Sequence, residues 1–194
     1  MRKQFIILFL GIISISNAQI KEIEIFGKIK TSLNDKGIPD LNILSISQGH
    51  GVQTDSLGNY SYKIKDWKNK RKIELNLSKL GYYKDTIINL TDQNRFEFNL
   101  TLKPHLGIDK EKALNDIEKG NICILMSGGI APIHYKSDGQ FSKKYKVNFV
   151  EFGCEGVGND ALSVYNNVVF DFLDKKFGVK WRKEIRSDII GLKK

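Results

Sequence analysis

Between Ile23 and Leu102 apolar residues recur at every second position, and that spacing constrains the fold more than any other feature of the chain. Ile23, Ile25 and Ile29 alternate around Gly27, and Ile73, Leu75 and Leu77 alternate with Glu74 and Asn76. Phe96, Phe98, Leu100 and Leu102 alternate with Glu97, Asn99 and Thr101. A period of two turns one face of an extended segment inward and the other to water. Turn signals separate the runs: Asn34-Asp35-Lys36-Gly37, Gln48-Gly49-His50-Gly51, Asp55 to Asn59, and Thr91-Asp92-Gln93-Asn94. About seven short strands at such spacing predict an antiparallel β-sandwich. Pro39 falls at a strand entrance, where a missing N–H costs least.

The pattern changes after Lys103-Pro104-His105-Leu106-Gly107, which reads as a hinge. Asp109 to Lys119 is expected to be a helix capped by Asp109 and stopped by Gly120. The run Asn121 to Met126, ending in Ser127-Gly128-Gly129, reads as a buried strand. A short helix capped by Ser137 runs to Tyr145, Val147 to Phe152 form a second strand, and Gly153 to Asp160 make a glycine-rich loop. A long helix follows with Leu162, Tyr165, Val169, Phe172 and Phe177 on its apolar face. A last helix is expected to turn Trp181, Ile185 and Ile189 inward, leaving Lys180, Arg182, Lys183 and Arg186 outside. Strand, helix and strand in about 30 residues predict a right-handed crossover and a parallel pair. The expectation is therefore two domains, a sandwich over 19–103 and a small α-β-α-β-α-α unit over 109–194, joined by a hinge at 104–108.

Residues 1–18 read as an export signal. Arg2 and Lys3 precede a short apolar run from Phe5 to Ile15, and Ser16-Asn17-Ala18 supplies small residues for cleavage. The run is shorter than the roughly 20 residues needed to span a bilayer. The mature chain is thus expected to begin near Gln19, with no integral membrane segment, in a periplasmic or extracellular location. The net charge of +9 is spread along the sequence, and its densest cluster is Lys63, Lys65, Lys68, Lys70, Arg71 and Lys72, read as a solvated hairpin tip. An exported chain without a basic stripe on a recognisable binding fold is not expected to bind nucleic acid. A partner protein or an anionic polysaccharide at the cell envelope fits better.

Two resemblances sharpen this reading. Phe26-Gly27-Lys28-Ile29, Gly37-Ile38-Pro39-Asp40-Leu41-Asn42-Ile43, Thr54-Asp55 with Gly58-Asn59-Tyr60, and Leu80-Gly81-Tyr82 occur in that order. Together they resemble the carboxypeptidase regulatory-like domain, a transthyretin-type sandwich, across residues 22–103. In that reading Asp55 and Gly58 suit a tight hairpin, Tyr60 plugs the core, and Gly81 permits a bend before an aromatic anchor. The resemblance implies a non-catalytic module. Its usual companions, zinc carboxypeptidases and receptor barrels, find no support in the remaining sequence. The three histidines, His50, His105 and His134, have no His-x-x-Glu spacing, so no metal is expected, and no train of alternating strands follows. Phe141-Ser142-Lys143-Lys144-Tyr145, Phe152-Gly153-Cys154 and Lys180-Trp181-Arg182-Lys183-Glu184-Ile185-Arg186 resemble the small bacterial FEKKY domain over about 110–194. Ser142 departs from the name-giving glutamate. That family implies no activity.

If the two back-half strands are parallel, Ser127, Gly128, Gly129, Gly153, Gly156, Gly158 and Asp160 gather at their carboxyl ends, where open α/β sheets bind ligands. The spacing is neither a dinucleotide fingerprint nor a P-loop, and no cofactor is expected. Cys154 in that loop, with His134 as base and Glu155 beside it, has the ingredients of a cysteine nucleophile. Glu151, Glu155 and Asp160 are carboxylates near the same loop. A Cys123–Cys154 disulfide is the alternative for an exported chain. A parallel pair would place these cysteines roughly 16 Å apart at ~3.3 Å per residue, beyond the ~7 Å Cα separation a disulfide tolerates. Trp67 and Tyr82-Tyr83 are candidates for a sugar platform or for core. The sequence thus favours an exported, non-catalytic binding protein, with a small hydrolase or transferase using Cys154 and His134, or a carbohydrate-binding accessory, as alternatives.

Overall fold

The computed structural model describes residues 22–65, 72–90, 93–129, 131, 133 and 135–193. The signal-like segment, Trp67, Lys68, Lys70 and Arg71 of the basic cluster, Thr91-Asp92 and His134 lie outside the described residues. The front half forms β1 (Ile23–Thr31), β2 (Asn42–Ser45), β3 (His50–Gln53), β4 (Asn59–Ile64), β5 (Lys72–Lys79), β6 (Tyr82–Asn89), β7 (Arg95–Glu97) and β8 (Leu100–Leu102). One sheet has β1 at its centre, between β4 and the β7/β8 run. The other runs β3-β2-β5-β6.

The alternation in sequence explains the burial. Ile23, Ile25 and Ile29 of β1, Tyr60, Tyr62 and Ile64 of β4, and Ile43, Ile73, Leu75, Leu77 and Ile88 of the second sheet share one apolar cluster. Burying side chains of this kind gains about 1.5–3 kcal/mol each before entropy is counted. The two sheets therefore face each other across a common core, and the structure is β-rich with three helices towards its C-terminus.

Three details differ from the sequence reading. Pairing is antiparallel except that β7 and β8 run parallel to β1. The continuous alternation of Phe96 to Leu102 is split at Phe98-Asn99, where the Asn99 side chain accepts from the Lys28 amide at 2.7 Å. The side chain stands in for a backbone partner, so the ladder resumes at Leu100. Asp55 does close a tight turn, accepting from the amides of Leu57 (2.9 Å) and Asn59 (2.8 Å). The turn is not a hairpin, because β3 pairs with β2 while β4 pairs with β1. Likewise β4 and β5 belong to different sheets, so they do not form a hairpin.

The back half adds α1 (Lys110–Glu118), β9 (Cys123–Met126), α2 (Lys136–Tyr145), β10 (Asn148–Glu151) and α3 (Asn159–Phe177). Asp109 caps α1 through the Lys112 amide at 2.8 Å, as its sequence predicts. Helix α2 starts two residues earlier than a Ser137 cap allows, with Tyr135 in the cap position. The Tyr135 amide instead donates to Asp138 Oδ2 at 3.1 Å. β9 and β10 are parallel, with Cys123 opposite Asn148 and Met126 opposite Glu151. The expected last helix is only a five-residue 3-10 turn, Val179–Lys183. Trp181, Ile185 and Ile189 are nonetheless all buried.

The face of α3 also departs from the sequence reading. Leu162, Tyr165 and Val169 are buried as expected, but Asn166, Phe170 and Leu173 complete the face, while Phe177 is exposed. Asn166 is fully buried. Its Oδ1 accepts from the Leu125 amide and its Nδ2 donates to the Leu125 carbonyl, both at 2.8 Å, and to the Ile190 carbonyl at 3.0 Å. In a two-stranded sheet β9 lacks a second neighbour, and Asn166 supplies the missing strand's hydrogen bonds at its centre.

The front sheets meet the back half at two glycines. Gly81, with φ at +87°, approaches Gly158 so closely that a Cβ would lie 2.6 Å from the Gly158 nitrogen. Only glycine fits both the positive φ and that gap. Beside this contact the Tyr82 hydroxyl donates to Asp160 Oδ2 at 2.6 Å and lies 2.8 Å from Thr31 Oγ1. Burial, reinforced by the Asp160 carboxylate, pushes the Tyr82 hydroxyl well above the ordinary tyrosine range, so it stays a donor at any physiological pH.

Candidate functional site

The parallel register of β9 and β10 brings both chains out of the sheet at one end. There Gly128 lies against Gly153, where a Cβ on Gly128 would fall 2.2 Å from the Gly153 nitrogen and oxygen. Beside this contact is a cleft of about 250 Å³ lined by Met126, Ser127, Gly128, Gly129, Ala131, Ile133, Glu151, Arg186 and Asp188. Ser127, Gly128 and Gly129 are thus where the sequence puts them, at a carboxyl edge.

Gly153 joins them through its contact with Gly128, but the other loop candidates do not. Gly156 lines a separate recess of about 300 Å³ with Tyr83 and His105. Gly158 and Asp160 line an adjoining recess of about 410 Å³ that shares Lys79, Leu80 and Tyr82 with it. The glycine-rich loop thus divides its residues between the carboxyl edge, where Gly153 meets Gly128, and the side where Gly158 meets Gly81. Asp160 is engaged by Tyr82 and by the Ala161 amide, and the helix cap is Gly158.

Arg186 is the feature of the cleft that helix periodicity misplaces. Its side chain is only 5% exposed, although the sequence puts it outside. Nε and Nη2 both donate to the Asp188 carboxylate at 2.7 Å, and Nη1 donates to the Ile133 carbonyl (2.9 Å) and to Asp138 Oδ2 (3.1 Å). The guanidinium also lies over the Tyr135 ring at 4.4 Å. The fork matches a carboxylate bidentately, and it holds Asp188 below the usual carboxylate range. Arg186 therefore ties the C-terminal segment to the start of α2, with four of its five N–H groups spent inside the protein.

The motif that carries the second resemblance is consumed in the same way. Phe141 packs 6.4 Å from Trp181, Lys144 pairs with Glu184 at 2.7 Å, and the Trp181 indole donates to Asp174 at 2.9 Å. Arg182, also expected outside, grips Asp174 at 2.8 Å and is 18% exposed. The first and last segments of the motif thus hold each other.

Cys123 is buried at the start of β9 and Cys154 is exposed in the loop after β10, and both are free thiols. Burial pushes the Cys123 thiol up. The parallel register separates the two along the sheet, so the disulfide alternative has no support in the structure. His134 lies outside the described residues. Glu155 is exposed and faces His105 Nε2 at 3.4 Å, not Cys154. Among the described residues no side chain hydrogen-bonds to Cys154, and no three His, Cys, Asp or Glu residues gather as a metal would need. Among the same residues no helix is long and apolar enough to cross a membrane. Tyr82 is buried, Tyr83 is exposed, and Tyr83 donates to Asp85 at 2.9 Å.

No family model and no curated protein matches the chain. Among solved structures it is similar to catechol 1,2-dioxygenase from Acinetobacter sp. ADP1, with 13% identity and a TM-score of 0.34 over 48% of this chain. The match spans 56% of the dioxygenase chain. A cohesin–X-dockerin complex from Acetivibrio cellulolyticus matches at 10% identity and a TM-score of 0.35, covering 75% of this chain and 94% of that one. The Bacillus anthracis TIE protein matches at 12% identity and a TM-score of 0.33, covering 56% of this chain and 19% of that one. Likenesses at this level identify neither a family nor a function.

Proposed function

We propose that the chain is an exported, non-catalytic docking protein. In this reading residues 19–103 form a carboxypeptidase regulatory-like sandwich and residues 109–194 a FEKKY-type α/β unit, with the basic start and short apolar run of residues 1–18 directing export. The observation that carries the proposal is the use of the motif residues. Trp181, Arg182, Glu184 and Arg186 are all engaged by partners within the protein, so what marks the resemblance is folding chemistry. Glu155, the carboxylate beside Cys154 in the sequence, turns to His105 and so does not serve the thiol as a base. The envelope partner is a protein or a polysaccharide.

The test is the alkylation rate of Cys154 in the folded protein with iodoacetamide at pH 7, compared with glutathione. A docking protein with a bystander thiol reacts no faster than the small thiol. A rate one or two orders of magnitude higher, as an activated thiolate would give, sinks the proposal in favour of the hydrolase or transferase reading.

A further inference from the structure

The outer face of the β4–β1–β7/β8 sheet carries a recess that none of the motifs accounts for. Where the pairing of β1 passes from β7 to β8, the interruption at Phe98-Asn99 leaves a hollow of about 440 Å³, lined by Lys28, Lys30, Glu97, Asn99, Leu100 and Thr101. Its floor is rigidly made. The Phe98 amide donates to the Phe26 carbonyl at 2.8 Å, the Phe98 carbonyl accepts from the Tyr60 hydroxyl at 2.9 Å, and Asn99 bridges the Lys28 amide and the Glu97 carboxylate.

Lys28 and Lys30 are two residues apart on one strand, so their Cα atoms are about 7 Å apart and both side chains rise on the same face. Neighbouring charges are taken, Lys63 by Glu22 and Arg95 by Glu24. Neither Lys28 nor Lys30 enters an ion pair among the described residues. Glu97 is the one acidic group of the hollow, and it already accepts from Asn99 at 2.8 Å. The site thus offers two ammonium groups and a hydroxyl from Thr101, while Leu100, opposite Ile29 in the register, turns its side chain to the sandwich core.

We propose that this hollow binds a carboxylate-bearing sugar unit of an acidic polysaccharide. The lysines meet the carboxylate, and Thr101 and the edge of Asn99 meet ring hydroxyls. An open hollow on a sheet face admits a chain passing across it, whereas small free metabolites favour enclosed clefts. The inference deepens the docking proposal, and rests on it only for the export that brings the chain to such polymers.

The test is calorimetric titration of the full chain with oligogalacturonate, using cello-oligosaccharide as the uncharged counterpart, at low and at physiological ionic strength. The acidic oligomer is expected to bind, more weakly as salt screens the lysines, and the neutral one to give no heat. The Lys28→Gln/Lys30→Gln variant should lose about tenfold in affinity, from two exposed contacts of up to ~1 kcal/mol each. Thr101→Trp, which fills the hollow on the solvent side, should weaken binding without touching either charge. Equal affinity of the double variant and the parent, equal binding of the neutral oligomer, or no binding of either would each overturn the inference. None of these outcomes bears on the Cys154 rate, by which the docking proposal itself is judged.

Discussion

Replacing Asn166 by alanine is expected to lower the unfolding free energy by about 3–5 kcal/mol. The side chain is fully buried and makes three hydrogen bonds, two to Leu125 and one to Ile190. Truncation leaves three backbone groups without partners, and each orphaned buried group costs about 1–3 kcal/mol, with partial relief if water enters. Asn167, the next residue on the helix, is exposed, and Asn167→Ala should change stability by no more than about 0.5 kcal/mol. Urea denaturation of both variants measures the contrast. A loss under about 1 kcal/mol for Asn166→Ala would mean that β9 does not depend on α3 for its free edge.

Trp181→Ala should cost a comparable amount, about 3–5 kcal/mol, as large aromatic truncations in cores do. The indole has no exposed surface, sits 5.3 Å from the Phe170 ring and 6.4 Å from Phe141, and donates to Asp174. Arg182 also lies over it at 4.9 Å. Its removal leaves a cavity where α2, α3 and the C-terminal segment converge. At about 2–4 °C per kcal/mol for a chain of this size, the midpoint of thermal unfolding should fall by roughly 10 °C. Trp181→Phe, which keeps a ring but loses the N–H, should cost less than half as much. Identical midpoints for Trp181→Ala and the parent would show that the 3-10 turn is not anchored by its tryptophan.

Both residues show what the sequence could reveal. Trp181 was legible, since it recurs with Ile185 and Ile189 on an apolar spacing, even though the expected helix is only a 3-10 turn. Burial pattern survives a wrong helix type because the core takes side chains and not hydrogen-bond registers. Asn166 was missed. It lies four residues from Leu162 and from Phe170 on the apolar face, and a polar residue in that position is a signal for a buried hydrogen-bonding role. The strands of the front half were legible through period two, but not which sheet each joins. The turn at Asp55 is local, whereas the exchange of β4 to the other sheet depends on distant partners. Arg186 was misplaced because its seat depends on Ile133, Asp138 and Asp188, which helix periodicity does not bring together. The glycine-rich loop looked like one site, and the contact of Gly81 with Gly158 disperses it.

The parallel pairing of β9 and β10 underlies the carboxyl-edge cleft, the separation of the cysteines and the free state of Cys154. A thiol count on the purified protein, isolated without reductant, tests it most directly. The account predicts two free thiols, one titrated at once in the folded state and assigned to the exposed Cys154, the other only after unfolding and assigned to the buried Cys123. No free thiols in a monomeric protein would mean a Cys123–Cys154 bridge, and would contradict the parallel register.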